Sequence, residues 1–349
     1  MTRSRDLEDR IEAVSRLRGT PPSEEGRALV RDALGGKAGR LVARGAEVAG
    51  AWADRALVPD LVRSFERLFG MAESAAAKAD AGCGAKTGIV DALGRIGEDP
   101  AEGTVPERVF LPGASHRQWE SVWGGRVDTA GALRGACAAG LVAWPHPEAL
   151  VVLADHLADP LADVRASAAR SVGRRGQADG VPLLRLRLRL GDEEPRVMGE
   201  CCRGLLSLAP AASLLLVAEL LDAEDEELFG EAALALGESR LPGACDALCG
   251  AWRITFGRER RRVLLAALAA LRREEAVGFL LRRVEEEASD VACDAVEVLA
   301  AYAGEAELRA RVAAAVQRAA DDALTRCFDA NFGPDEQAGA GGRPRARAE

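Results

Sequence analysis

Aromatic residues make up only 4% of the 349-residue chain, with a single tyrosine, and β-branched residues are scarce beside alanine and leucine. That shortage removes the usual material of sheets and favours helix. No apolar run approaches the roughly 20 residues that a membrane span requires. The amino-terminal MTRSRDLEDR carries charge where a signal peptide needs an apolar core, so a cytoplasmic location without a membrane partner is expected. CxxC pairs are absent, and the eight cysteines sit mostly among alanines and leucines, where cysteine acts as a small core residue. Cys245 and Cys249 stand one helical turn apart without further ligands nearby, so neither a metal nor a cofactor is expected. The formal charge of -9 gives no general electrostatic reason to expect nucleic acid. Against these absences, 48% hydrophobic and 29% charged residues exclude wholesale disorder and supply a packed core.

The chain resembles itself. LRGACAAGLVA from Leu133 is echoed from Val164, Val197, Leu228, Val263 and Val291, at spacings of 31, 33, 31, 35 and 28 residues. In each copy the first, fifth and ninth residues are apolar or small, as Val164, Ala168 and Val172 are, which is one face of a helix. Between copies lies a second amphipathic stretch, such as Pro147 to Pro160, Ser213 to Asp222 and Ala276 to Glu287. Each repeat therefore reads as a helical hairpin. LLRLRLRL, Leu183 to Leu190, alternates like a strand, but it fills a first-helix slot in which Leu184 and Leu188 form an apolar stripe, so it is read as helix. The acidic AEDEE from Ala223 falls at a helix entry, where carboxylates favour the positive end of the dipole.

Units of about thirty residues, each with two helices and an alanine-rich second one, resemble HEAT repeats. The spacing and the DVRASAA phrase from Asp163 are most similar to the bilin-lyase subtype of HEAT-like repeat. The arginine of that phrase recurs as Arg134 and Arg165 but gives way to Met198, Phe229, Leu264 and Ala292, so no continuous arginine ladder is assumed. The resemblance implies an all-α, right-handed α-solenoid of about seven to eight stacked hairpins. A bilin lyase would handle an open-chain tetrapyrrole with an acceptor protein, yet the repeat type alone carries over neither that activity nor a contact residue.

Upstream, AKTGIVDALGR from Ala85 fits the same pattern, but it stands 48 residues before Leu133, 17 more than the next interval. The chain thus divides into amino-terminal repeats over 1–98, an irregular tryptophan-bearing insertion over 99–128, carboxy-terminal repeats with a capping helix over 129–331, and a Gly- and Pro-rich tail over 332–349 read as disordered. Asp128 or Thr129 is expected to cap the helix that resumes after the insertion.

Three sets of residues bear on catalytic chemistry. GCGAKTG from Gly82 lacks the glycine before Lys86 that a phosphate loop requires. His146 and His156 read as surface or capping residues. His116 with Glu120 makes an imaginable acid/base pair, but no nucleophile or metal cluster accompanies it, so the protein is read as a non-enzyme.

The expected function is protein binding on the concave face, as a scaffold or regulatory adaptor that is monomeric by itself. Arg165, Arg170, Arg203 and Glu297 would line that face. Trp119 and Trp123, four residues apart, would share one face of a helical turn ended by Gly124 and Gly125. The two rings either plug the seam between repeat groups or, with His116 and Arg117, form a recognition site. Nucleic-acid binding through Arg174, Arg185 and Arg189 or through Arg260, Arg261 and Arg262 is the alternative, and a bilin-lyase-like enzyme or chaperone follows it.

Overall fold

The computed structural model describes residues 2–98 and 103–333. The fold is all-α and solenoid-like, built from stacked helical hairpins with one small sheet, and it divides into compact units of residues 1–204 and 205–349. The first unit holds α1 (Thr2–Ser15), α2 (Glu24–Leu34), α3 (Gly39–Trp52), α4 (Val58–Phe69), α5 (Glu73–Ala79), α6 (Gly84–Ile96) and the short α7 (Leu111–Ala114). After α7 come strands β1 (Trp119–Val122) and β2 (Gly125–Asp128), then α8 (Gly131–Ala143), α9 (Ala149–His156), α10 (Ala162–Arg175), α11 (Val181–Leu190) and α12 (Pro195–Leu208), whose last residues cross the division. The second unit continues with α13 (Pro210–Ala218), α14 (Glu226–Ser239), α15 (Pro242–Ile254), α16 (Arg258–Ala270), α17 (Glu274–Glu286), α18 (Ser289–Leu299), α19 (Ala306–Ala319) and α20 (Asp322–Phe332). No helix among the described residues is long and apolar enough to cross a membrane.

The second helices stack directly on one another: α3 on α6, α6 on α8 and α8 on α10 in the first unit, α14 on α16 and α16 on α18 in the second. Small residues permit this closeness. A Cβ on Gly237 of α14 would strike the Ala267 carbonyl of α16, so only glycine fits there. Entry signals act locally: Ser23 accepts the Gly26 N–H at the start of α2, and Asp225, inside the acidic run, accepts the Leu228 N–H at 2.8 Å. The alternating leucines form α11, with Leu184 and Leu188 buried and Arg185 and Arg189 outward.

The insertion departs from the sequence reading. Trp119 and Trp123 do not share a helical turn. Trp119 begins β1, and Trp123 with Gly124 forms the two-residue turn of an antiparallel hairpin in which Val122 pairs with Gly125 and Trp119 with Asp128. Gly124 has a φ of +96°, which a side chain rarely tolerates, so the glycine pair closes a hairpin and not a helix. The start of α8 differs too. Ala130 is its cap without a side-chain bond, while Asp128 accepts the Ala130 N–H and Thr129 turns back to the Gln118 carbonyl.

Of the expected disordered tail, Phe332 ends α20 and is buried at 6% exposure; residues 334–349 lie outside the described residues, as do residues 99–102 of the insertion.

Candidate functional site

Three features of the first unit converge around the hairpin: a buried ionic ladder, a groove on the second helices, and an exposed aromatic tip.

The ladder occupies one repeated position. Lys86 of α6, Arg134 of α8 and Arg165 of α10 each stand second in their repeat copy. Lys86 is wholly buried, 2.9 Å from Asp80 and 3.1 Å from Gln118 Oε1. Asp80 also accepts the Ala85 and Lys86 N–H groups, so its carboxylate caps the helix that carries its cation. Arg134, 1% exposed, grips Asp159 with two bonds of 3.0 and 3.1 Å, reaches Asp128 at 2.8 Å and donates to the His116 carbonyl. Arg165 binds Asp192 through two bonds of 2.8 Å and its own loop through the Asp159 carbonyl. Each arginine thereby ties the loop before its helix to the loop before the next one. Burial works against the Asp159 and Asp192 carboxylates, but N–H donors and the arginines outweigh it, holding Asp159 below the usual range and Asp192 at about 2. The rungs stop at Met198, where the slot turns apolar.

Arg165 is therefore a ladder residue and not the exposed surface residue the sequence suggested; its side chain is only 14% exposed. Arg117 bonds to Asp159 at 3.0 Å and to Asp128 at 3.1 Å while its side chain stays 41% exposed. His116 lies against Phe69 at 5.0 Å, its Nε2 without a partner, and burial followed by the Lys86 charge pushes its pKa down. Glu120 does not face it. That carboxylate accepts from Gly82 N at 2.7 Å, from Gln118 and from Thr129, so the imagined acid/base pair does not form. His156 corrects a further expectation: it is buried at 5% exposure with Nε2 2.8 Å from the Ala114 carbonyl, and burial lowers its pKa. His146 Nδ1 accepts the Glu148 N–H in the turn before α9, whose cap residue Glu148 makes no side-chain bond.

The groove, about 730 Å³, has a floor of small α8 residues, Gly135, Ala136 and Ala139, and walls that include Thr87 and Asp91 of α6 and Ser167 and Arg170 of α10. Asp128 and Thr129 at the hairpin base border it. Asp91 has accessible surface yet sits in this hollow among protein atoms, and the lost hydration raises its pKa. Arg170 is held at 2.6 Å by Glu200, which Arg203 approaches at 3.6 Å. Glu297 is exposed on α18 of the second unit.

At the tip Trp123 is fully exposed and Val122 beside it 47% exposed, while Trp119, paired with Asp128 at the base, is 45% exposed. The Trp123 ring fills no space in the protein, while the Trp119 ring is half-buried. The buried tryptophan of this region is Trp144, 1% exposed, edge-on to the equally buried Phe110 at 6.3 Å and donating Nε1–H to the Leu93 carbonyl at 3.0 Å. Sequence reading missed Trp144, Lys86 and Asp80; the signal for Lys86 was its place on the apolar face of α6, one turn before Ile89 and Val90.

The arginine zones are largely committed. Arg260 covers the Phe229 ring and donates to the Glu224 carbonyl, Arg261 covers Trp252 and faces Glu287, and Arg262 lies 3.5 Å from Asp294. In the first zone Arg187 pairs with Asp192, while Arg174, Arg185 and Arg189 are exposed. All eight cysteines are free thiols, and among the described residues no group of His, Cys, Asp or Glu is arranged to hold a metal. Cys245 and Cys249 sulfurs lie 4.0 Å apart, and burial pushes the Cys249 thiol up to about 12.

No family model and no curated protein matches the sequence. Among solved structures, an engineered protein is 16% identical, covering 90% of this chain and 99% of its own at a TM-score of 0.39. The complex of CpcE and CpcF of phycocyanin lyase from a Nostoc species is 17% identical, covering 78% and 94% at 0.34. Human deoxyhypusine hydroxylase in complex with glycerol is 20% identical, covering 84% and 96% at 0.28. Superposition this loose leaves function to the chain's own geometry.

Proposed function

We propose that the protein is a non-catalytic, cytoplasmic protein-binding scaffold or adaptor, monomeric by itself, whose partner lies along the second-helix groove of the first unit and meets the hairpin beside it. The observation that carries this reading is Trp123, wholly exposed at the tip of a hairpin whose base is bonded into a buried ionic ladder. An exposed tryptophan contributes nothing to the core, and a rigid support removes most of the ordering cost when a partner covers the ring. Tryptophan and arginine are preferred anchors at interfaces, and Arg170 stands in the adjoining groove. The second-zone arginines are engaged by aromatic rings and carboxylates, which argues against a phosphate-binding strip.

The test is a pair of alanines. Trp119→Ala with Trp123→Ala should abolish capture of the native partner from the host and leave the unfolding midpoint unchanged. Unaltered capture would reject the reading.

A further inference from the structure

Of the 46 lysine and arginine residues only three are lysines, Lys37, Lys78 and Lys86, and all three gather at the entry to α6. Lys86 is consumed by Asp80. Lys37, just before α3, and Lys78, near the end of α5, line one hollow of about 390 Å³ together with Gly39 and Gly84 at the starts of α3 and α6. Lys78 also borders a second hollow of about 450 Å³ walled by Trp119, Ser121 and Arg126 of the hairpin.

The charge here is unbalanced. Lys37 and Lys78 are exposed and make no ion pair or hydrogen bond among the described residues. Three acids around them are paired with cations, Glu8 with Arg40, Glu73 with Arg126 and Asp80 with Lys86, while Glu120 accepts from the neutral Gly82, Gln118 and Thr129 and keeps its charge, so the two lysines exceed the one unpaired acid beside them. The first turn of α3 carries no acid and its cap residue Ala38 makes no side-chain bond, which adds to the positive potential. Two lysines thus line one hollow, and Lys78 alone also borders the hollow of the half-exposed Trp119, on a chain whose formal charge is -9.

Resting on the protein-binding reading above, we propose that the partner presents an acidic segment with interspersed apolar residues, its carboxylates on Lys37 and Lys78 and its apolar side chains against Trp119. Lysine suits this task. Its compact charge rides on a flexible stem that follows carboxylates at uneven spacing, where the planar guanidinium of arginine favours one fixed bidentate geometry. Charges at such a rim act on association rate and salt dependence.

The experiment titrates the full chain with three fluorescent probes: a peptide of repeated Glu-Leu-Asp, its Lys-Leu-Arg counterpart, and a single-stranded oligonucleotide of matched charge. The acidic peptide should bind, weaken as salt rises, and lose about tenfold or more in the Lys37→Glu, Lys78→Glu double variant, while Lys37→Arg with Lys78→Arg retains most of the binding. Equal binding of the oligonucleotide, binding of the basic peptide, or indifference to charge reversal would overturn the proposal. If charge reversal has no effect while the Trp119 and Trp123 alanines still abolish partner capture, the interface stands and its acidic preference falls. If those alanines leave capture intact, the interface itself is rejected.

Discussion

Replacing Arg134 by alanine is expected to cost about 3–5 kcal/mol of folding stability, because it leaves buried carboxylates without their cation. Arg134 alone joins three segments of the first unit: the loop before α10 through Asp159, the end of β2 through Asp128, and the chain entering the hairpin through the His116 carbonyl. The side chains of Asp159 and Asp128 are 2% and 9% exposed, so water cannot replace the guanidinium without opening the structure. Arg117, 3.0 Å from Asp159, supplies partial relief and places the effect toward the lower end of that range. Arg134→Lys should rescue little, since one ammonium cannot reproduce the two parallel bonds to Asp159. Urea unfolding followed by tryptophan fluorescence reads the correct unit, because Trp52, Trp119, Trp123 and Trp144 lie in the first unit and only Trp252 in the second. A loss below about 1 kcal/mol would mean that the ladder contributes no more than surface pairs do.

Trp144→Ala should be similarly severe, about 3–5 kcal/mol, the range for emptying a buried aromatic site. The ring fills the space between α6 and the turn of chain leading into α7, with Phe110 edge-on and the Leu93 carbonyl receiving its N–H. Trp144→Phe restores part of the packing, and the Leu93 carbonyl keeps the Gly97 N–H at 3.0 Å, so only about 0.5–1.5 kcal/mol should remain lost with the indole bond. Trp123→Ala in the same assay should leave the midpoint where it was, because that ring touches solvent on all sides. Equal losses for Trp144 and Trp123 would contradict the assignment of the first to the core and the second to the surface.

The contrast between these tryptophans shows what the sequence could and could not reveal. The repeat was legible because its signal is local: an apolar residue every fourth position on a helix face, repeated at about thirty-residue intervals, needs no knowledge of neighbours. The helix at Leu183 was legible for the same reason once the repeat supplied its register. The hairpin was not, because a spacing of four places two tryptophans on one face of a helix as readily as it separates a strand from its turn. Gly124 and Gly125 were noticed, but a glycine pair ends a helix as well as it turns a hairpin. Trp144 follows α8 in a stretch punctuated by Pro145 and Pro147 that reads as loop, and its burial exists only because the α6 carbonyl and Phe110 arrive from elsewhere in the chain. Arg134 and Arg165 were recognised as a recurring pair, whereas their acids, Asp159 and Asp192, stand one repeat further on and are brought near by stacking alone. Lys86 fell from view because the loop around it was weighed as a phosphate site and set aside, although its position on the apolar face of a helix already required a buried counter-ion.

The most direct measurement of the central claim, that the hairpin tip meets a protein partner, is photo-crosslinking from position 123 of the full chain in its native cell. A photoreactive phenylalanine analogue in place of Trp123 is predicted to yield a discrete protein adduct, while the same group in place of Val151, 63% exposed on α9, yields none. No adduct at 123, or the same adducts from both positions, would contradict the account.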